Sequence, residues 1–113
     1  MSTYFNYNPG LDHRTCYRAT YQVPKNKAFW SITMYGKTGF IESENSVLNN
    51  RNTRLDPDGK SFTAYFGSKE ACGDVPNRLD TSEGWNFVMR VYRPDPSVLG
   101  GGYTLPQTMP VGG

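Results

Sequence analysis

The sequence predicts an all-β fold, an antiparallel β-sandwich of jelly-roll-like form with extended N- and C-terminal arms. Three observations carry this expectation. Short segments of alternating polarity recur along the chain. Clusters of Gly, Pro, Asn and Asp separate them. No stretch of ten residues keeps a helical period. With 113 residues, a single domain spanning 1–113 is expected, with 1–14 and 100–113 as the arms.

In chain order, residues 1–14 are polar and rich in Tyr and Asn, with a Pro9-Gly10 turn signal, and read as an irregular arm. Residues 17–23 alternate strictly. Tyr17, Ala19, Tyr21 and Val23 share one face, and Arg18, Thr20 and Gln22 the other, as in a half-buried antiparallel strand. Residues 28–35 give the clearest strand, with Trp30, Ile32 and Met34 on an apolar face and Phe29, Ser31, Thr33 and Tyr35 on a mixed one. After the 36–39 turn, Phe40-Ile41-Glu42 reads as its hairpin partner. The Asn-rich stretch 44–54 reads as a loop, or a single helical turn around Val47 and Leu48.

Asp56-Pro57-Asp58-Gly59 is a turn in which Pro presets the first corner and Gly accepts a positive φ. A strand over 62–66 follows. The connection 67–84 is long enough to be functional or to hold short structure of its own. Residues 85–92 form the last clear strand, with Trp85, Phe87, Met89 and Val91 on one side. Ser97-Val98-Leu99 suits one helical turn with Pro96 at its first position. From Gly100 the chain reads as extended, with Gly100-Gly101-Gly102 as a hinge.

Composition limits the function classes. A net charge of +2, with Lys and Arg scattered singly, argues against a nucleic-acid partner. No apolar run reaches 18 residues, which argues against a membrane-spanning helix. The first residues lack a charged-then-apolar leader, so a cytoplasmic or virion-associated location is expected. In that setting Cys16 and Cys72 read as two buried or free thiols. Only 36% of residues are hydrophobic, so the sixteen aromatics must supply much of the burial.

Residues 28–35 followed by Gly39-Phe40 resemble the opening motif of the bacterial family called domain of unknown function 1214. Further pieces fall in that family's order: Arg51, Asp58-Gly59, Phe62 and Tyr65, Asn77-Arg78-Leu79, Gly84 and Phe87. Arg90-Val91-Tyr92-x-Pro94, Val98-Leu99, Gly101 and Pro106 complete the series, which covers about 24–106. The chain departs from the pattern at Asn77-Arg78-Leu79-Asp80, where the family usually has Asn-Trp-Leu-Pro. The family commonly forms the C-terminal part of longer proteins, and this chain reads as a short, stand-alone form of it. The resemblance implies a jelly-roll-like sandwich and no assigned activity, so it contributes no catalytic residue.

The residues themselves supply no catalytic set. His13 is the single histidine and lies in the N-terminal arm, a poor place to hold catalytic geometry. One His and two distant Cys do not make a metal site, and no cofactor is expected. Asp56-x-Asp58-Gly59 begins like a calcium loop, but Lys60, Ser61 and Phe62 break the pattern. Glu42, Glu44, Asp80 and Glu83 could serve a carboxylate hydrolase only if they converge, and read as solvated acids.

The expected function is therefore a non-enzymatic interaction or structural module. It would assemble with itself or with a larger partner, as in a surface-decorating or virion accessory protein. Tyr4, Phe5, Tyr7 and Tyr103 would be arm contacts that pack on a neighbour or extend its sheet. The alternative is a small-molecule or glycan-binding module using Phe29, Tyr35, Tyr65 and Tyr92, with Trp30 lining an interior pocket.

Overall fold

The computed structural model describes residues 2–26, 28–41, 43–99 and 103–111. Eight strands and one short helix follow in the order β1 (Ser2–Tyr7), β2 (Tyr17–Gln22), β3 (Trp30–Tyr35), β4 (Val47–Asn49), β5 (Ser61–Phe66), α1 (Lys69–Cys72), β6 (Arg78–Leu79), β7 (Asn86–Tyr92) and β8 (Met109–Pro110). They form two four-stranded sheets of order β1-β7-β3-β4 and β6-β5-β2-β8. All pairings are antiparallel except β5–β6, which is parallel.

The alternation read in β2, β3 and β7 decides which face each presents inward. Tyr17, Ala19 and Tyr21 of β2 are buried while Arg18, Thr20 and Gln22 are exposed. Trp30, Ile32 and Met34 of β3 and Phe87, Met89 and Val91 of β7 point into the same core. Aromatic rings join the two sheets. Trp30 stacks on Phe62 at 4.7 Å, and Phe66 on Phe87 at 5.4 Å. Tyr21 meets Phe87 edge-on at 6.4 Å. Each such ring contributes about 1.5–3 kcal/mol by leaving water, so a few aromatics hold together a chain of low overall hydrophobicity.

The N-terminal segment differs from the irregular arm read in the sequence. Ser2–Tyr7 pairs with β7 along its whole length, from Ser2 opposite Tyr92 to Tyr7 opposite Phe87. Tyr on both faces hides its alternation: Tyr4 points outward while Tyr7 stacks on Phe87 at 5.0 Å. The partner of β3 also differs. Phe40 and Ile41 are exposed and outside any strand, and Glu42 lies outside the described residues. The partner is β4, inside the Asn-rich stretch read as a loop or helical turn. Leu48 of β4 is buried opposite Ile32. The asparagines close the turn after it, since Asn52 Nδ2 donates to the Val47 carbonyl at 2.9 Å and Asn52 Oδ1 accepts from Asn49 N at 2.7 Å.

The cysteines are not free thiols: Cys16 and Cys72 form a disulfide, with Cα atoms 5.1 Å apart. Pairing of Tyr17 with Phe66 puts the start of β2 beside the end of β5, and α1 folds Cys72 back over that end. Gly67 makes the approach possible, because a Cβ there would lie 2.8 Å from Cys72 Sγ. The connection 67–84 thus holds structure of its own, α1 and β6, with Ser68 Oγ capping α1 by accepting from Ala71 N at 3.1 Å. A short helical turn over 96–99 follows β7, as the sequence predicts.

Both ends fold back on the protein's own sandwich. The Tyr103 hydroxyl donates to the Gln22 carbonyl at 2.6 Å, and its ring packs 5.4 Å from that of Phe5. Thr108 N donates to the Tyr7 hydroxyl at 2.9 Å, and β8 pairs with β2. The N- and C-terminal segments therefore close one open side of the sandwich against each other. The hinge read at Gly100-Gly101-Gly102 lies outside the described residues.

Candidate functional site

The aromatic residues singled out in the sequence do not form one site. Phe29, Tyr35 and Tyr92 lie on the outer face of the β1-β7-β3-β4 sheet. Phe29 and Tyr92 rings are 4.3 Å apart, and Tyr92 N donates to the Phe29 carbonyl at 2.8 Å. Tyr35 is tied to the same face by Arg90, whose Nη2 donates to its hydroxyl at 3.4 Å. Tyr65 sits opposite Arg18 on the other sheet, facing away, so it cannot converge with the first three. Trp30 is 2% exposed and belongs to the packed core rather than to an interior pocket.

Of the arm residues, Phe5, Tyr7 and Tyr103 are engaged within the chain. Tyr4 is not: it is 66% exposed, in register with Arg90 on the outer face. Its strand borders the sheet. β1 pairs with β7 on one side, and among the described residues no backbone hydrogen bond satisfies its other side. The strand Ser-Thr-Tyr-Phe-Asn-Tyr carries no charge, Pro or Gly. The other sheet borders are shorter: β4 has three residues, β6 two, and β8 two including Pro110. Short strands and proline are common ways to blunt an edge, and β1 uses neither.

A second feature is a cleft of about 380 Å³, part polar and part apolar, at the end of the sandwich where β3 finishes. Met34 forms its apolar part, and Ser43, Ser46, Ser68 and Asp80 its polar part. The Asp80 carboxylate is positioned from two sides: Ser43 Oγ donates to Oδ2 and Arg78 Nη1 to Oδ1. Burial acts to raise its pKa, but the Ser43 hydroxyl and the Arg78 guanidinium outweigh it and hold the carboxyl below the ordinary value. Asn45 fixes the loop across from it, accepting Asp80 N at its carbonyl (3.0 Å) and donating Nδ2 to the Arg78 carbonyl (3.0 Å). Ser46 is only 5% exposed and lines the cleft.

The remaining sequence candidates occupy structural positions. The Asp12 carboxylate accepts from Arg14 N and Thr15 N, each at 2.8 Å, and from the Tyr17 hydroxyl at 2.9 Å; these bonds lower its pKa. The His13 carbonyl accepts from Thr81 Oγ1 at 3.1 Å. Asp58 accepts from Lys60 N at 2.8 Å and Ser61 N at 3.1 Å, closing the 56–59 turn. Glu83 pairs with Lys37 at 3.1 Å on the surface, and Glu44 is exposed. Sequence reasoning named Asp80 but not Ser43, Ser46 or Ser68, which come from two separate segments and share no motif.

These features define a class: a two-sheet β-sandwich domain with one long border strand unpaired among the described residues and a cleft at one end. The chain belongs to the family described as Protein of unknown function (DUF1214), whose model matches residues 7–96. Two solved structures share the fold. The VPA0106 protein from Vibrio parahaemolyticus superposes with a TM-score of 0.82 at 24% identity, over 97% of this chain and 30% of that one. An uncharacterized protein from Burkholderia cenocepacia gives a TM-score of 0.57 at 16% identity, over 95% of this chain and 28% of that one. This chain thus spans less than a third of either protein. No curated protein matches it.

Proposed function

We propose that this chain is a non-enzymatic interaction module that assembles with a second copy of itself by joining β1 to β1 across a two-fold axis. The observation that carries this reading is the border of β1: six residues, uncharged, unbroken by Pro or Gly, and, among the described residues, unpaired on one side. Such a border offers a row of backbone donors and acceptors to another strand. Self-pairing suits its sequence. An antiparallel register centred on Tyr4 places Tyr4 against Tyr4, Thr3 against Phe5 and Ser2 against Asn6, with no like charges opposed. The exposed Tyr4, with Arg90 in register beside it, supplies the residue types that interface cores favour.

Light scattering on the full chain across a range of concentrations tests this. The expected result is a mass of twice 12.7 kDa for the wild type. Tyr4→Lys places two positive charges opposite each other and is expected to give a monomer, while Tyr4→Phe stays dimeric. A wild-type monomer at every concentration overturns self-assembly through β1.

A further inference from the structure

We propose that the cleft bordered by Tyr35, Ser46 and Asp80 binds a neutral carbohydrate. Its volume of about 380 Å³ falls in the range of small-ligand pockets. Its walls combine what a sugar ring needs, namely hydroxyl donors, a fixed acceptor and an apolar patch.

The acceptor is Asp80. A carboxylate offers about four lone-pair sites, and Ser43 and Arg78 occupy one on each oxygen. The Asn45 side chain also bonds this carboxylate, and a ligand hydroxyl at a remaining lone pair would gain a charge-assisted bond roughly twice as strong as a neutral one. The donors are serines. Ser46 is 95% buried by residue and lines the cleft. Ser68 accepts from Ala71 N and so keeps its own proton to donate. The apolar part of the wall is Met34 at the end of β3.

Charge selects the ligand class. Asp80 is balanced by Arg78, and the nearby Glu83 by Lys37. An anionic ligand would face the Asp80 carboxylate. A cation would find a single carboxylate that already carries a guanidinium. A neutral polyhydroxy ring meets neither penalty.

The test is a two-dimensional NMR titration of the full chain with glucose, galactose, mannose and N-acetylglucosamine, each used separately. The expected result is saturable shifts for at least one of them, at amides of 35–36, 43–46, 68 and 80–82. Ser46→Ala is expected to bind about tenfold more weakly with an otherwise unchanged spectrum, and Asp80→Asn more weakly still. Absence of saturable shifts with every sugar overturns the proposal. So does binding that Ser46→Ala leaves unchanged, or shifts confined to the Phe29–Tyr92 face. Because β1 lies outside this cleft, the dimer can fail while this site stands, and the reverse.

Discussion

Asn77 and Arg54 exchange two hydrogen bonds through a side chain that imitates a strand partner. Asn77 Nδ2 donates to the Arg54 carbonyl at 2.7 Å, and Asn77 Oδ1 accepts from Arg54 N at 2.7 Å. The same Nδ2 donates to the Thr63 carbonyl at 3.0 Å, and Tyr65 N donates to the Asn77 carbonyl at 2.9 Å. Asn77 does this at φ 57, a left-handed conformation that Asn tolerates better than most residues. One residue thus ties the 54 loop and the start of β6 to β5. Asn77→Ala is expected to cost about 2–3 kcal/mol, from the lost bonds and the strained φ, measured by urea denaturation. Asn77→Asp retains the acceptor and the φ tolerance but sets a carboxylate oxygen against the Arg54 and Thr63 carbonyls, and is expected to cost at least as much as Asn77→Ala.

Tyr21 presents the opposite situation. Its ring is fully buried between Phe62 and Phe87, yet its hydroxyl has no partner among the described residues. Removing an orphaned polar atom without changing shape relieves its desolvation cost. Tyr21→Phe is expected to raise stability by about 1 kcal/mol, seen as a higher thermal midpoint. A fall would reveal a partner for that hydroxyl. Burial also pushes the Tyr21 and Tyr103 phenols well above their ordinary value of 10.0. The native chain therefore holds these protons longer than the unfolded chain. That stability is complete below pH 10 and is lost as the pH rises beyond it. Tyrosinate absorbance is expected to show at least these two of the eight tyrosines ionising only with unfolding.

The Cys16–Cys72 bridge closes a loop of 56 residues. Chain-entropy arguments put its contribution at about 2–4 kcal/mol. Reduction, or Cys16→Ser with Cys72→Ser, is expected to lower the free energy of unfolding by that amount, seen as a lower urea midpoint. The intact purified chain is expected to show no thiol titratable under denaturing, non-reducing conditions.

Asp12, Asp58 and Asp80 all have pKa values below the ordinary 3.8. For Asp12 the leading cause is the bond from Arg14 N, and for Asp58 the bond from Lys60 N. At Asp80 burial pulls upward and is outweighed by Ser43 and Arg78. The folded state therefore binds fewer protons than the unfolded state near these values. Stability is in full above 3.8 and is lost as the pH falls through the lower folded values. Urea midpoints measured down the acid limb are expected to fall less steeply for Asp80→Asn than for the wild type.

Much of the sandwich was legible because its central strands are simple: β2, β3, β5 and β7 each bury one alternating face. The strands that escaped are those where side-chain polarity does not report direction. β1 has tyrosines facing both ways, and β4 is three residues inside an asparagine cluster whose polarity belongs to the turn. The disulfide was illegible because only the β2–β5 register brings positions 56 apart together. The cleft was partly legible through Asp80. Ser43, Ser46 and Ser68 become neighbours of Asp80 only when the ends of β3 and β5 meet the loop after β6.

The central claim is that β1 pairs with β1 of a second copy. Amide hydrogen exchange of β1, followed as protein concentration rises, tests it most directly. In a lone domain every second amide of a border strand faces water. Pairing across the two-fold axis is expected to slow exchange within residues 3–6 as concentration rises, and Tyr4→Lys is expected to abolish that dependence. Exchange in residues 3–6 that is fast at every concentration, and the same in the wild type and Tyr4→Lys, would contradict it.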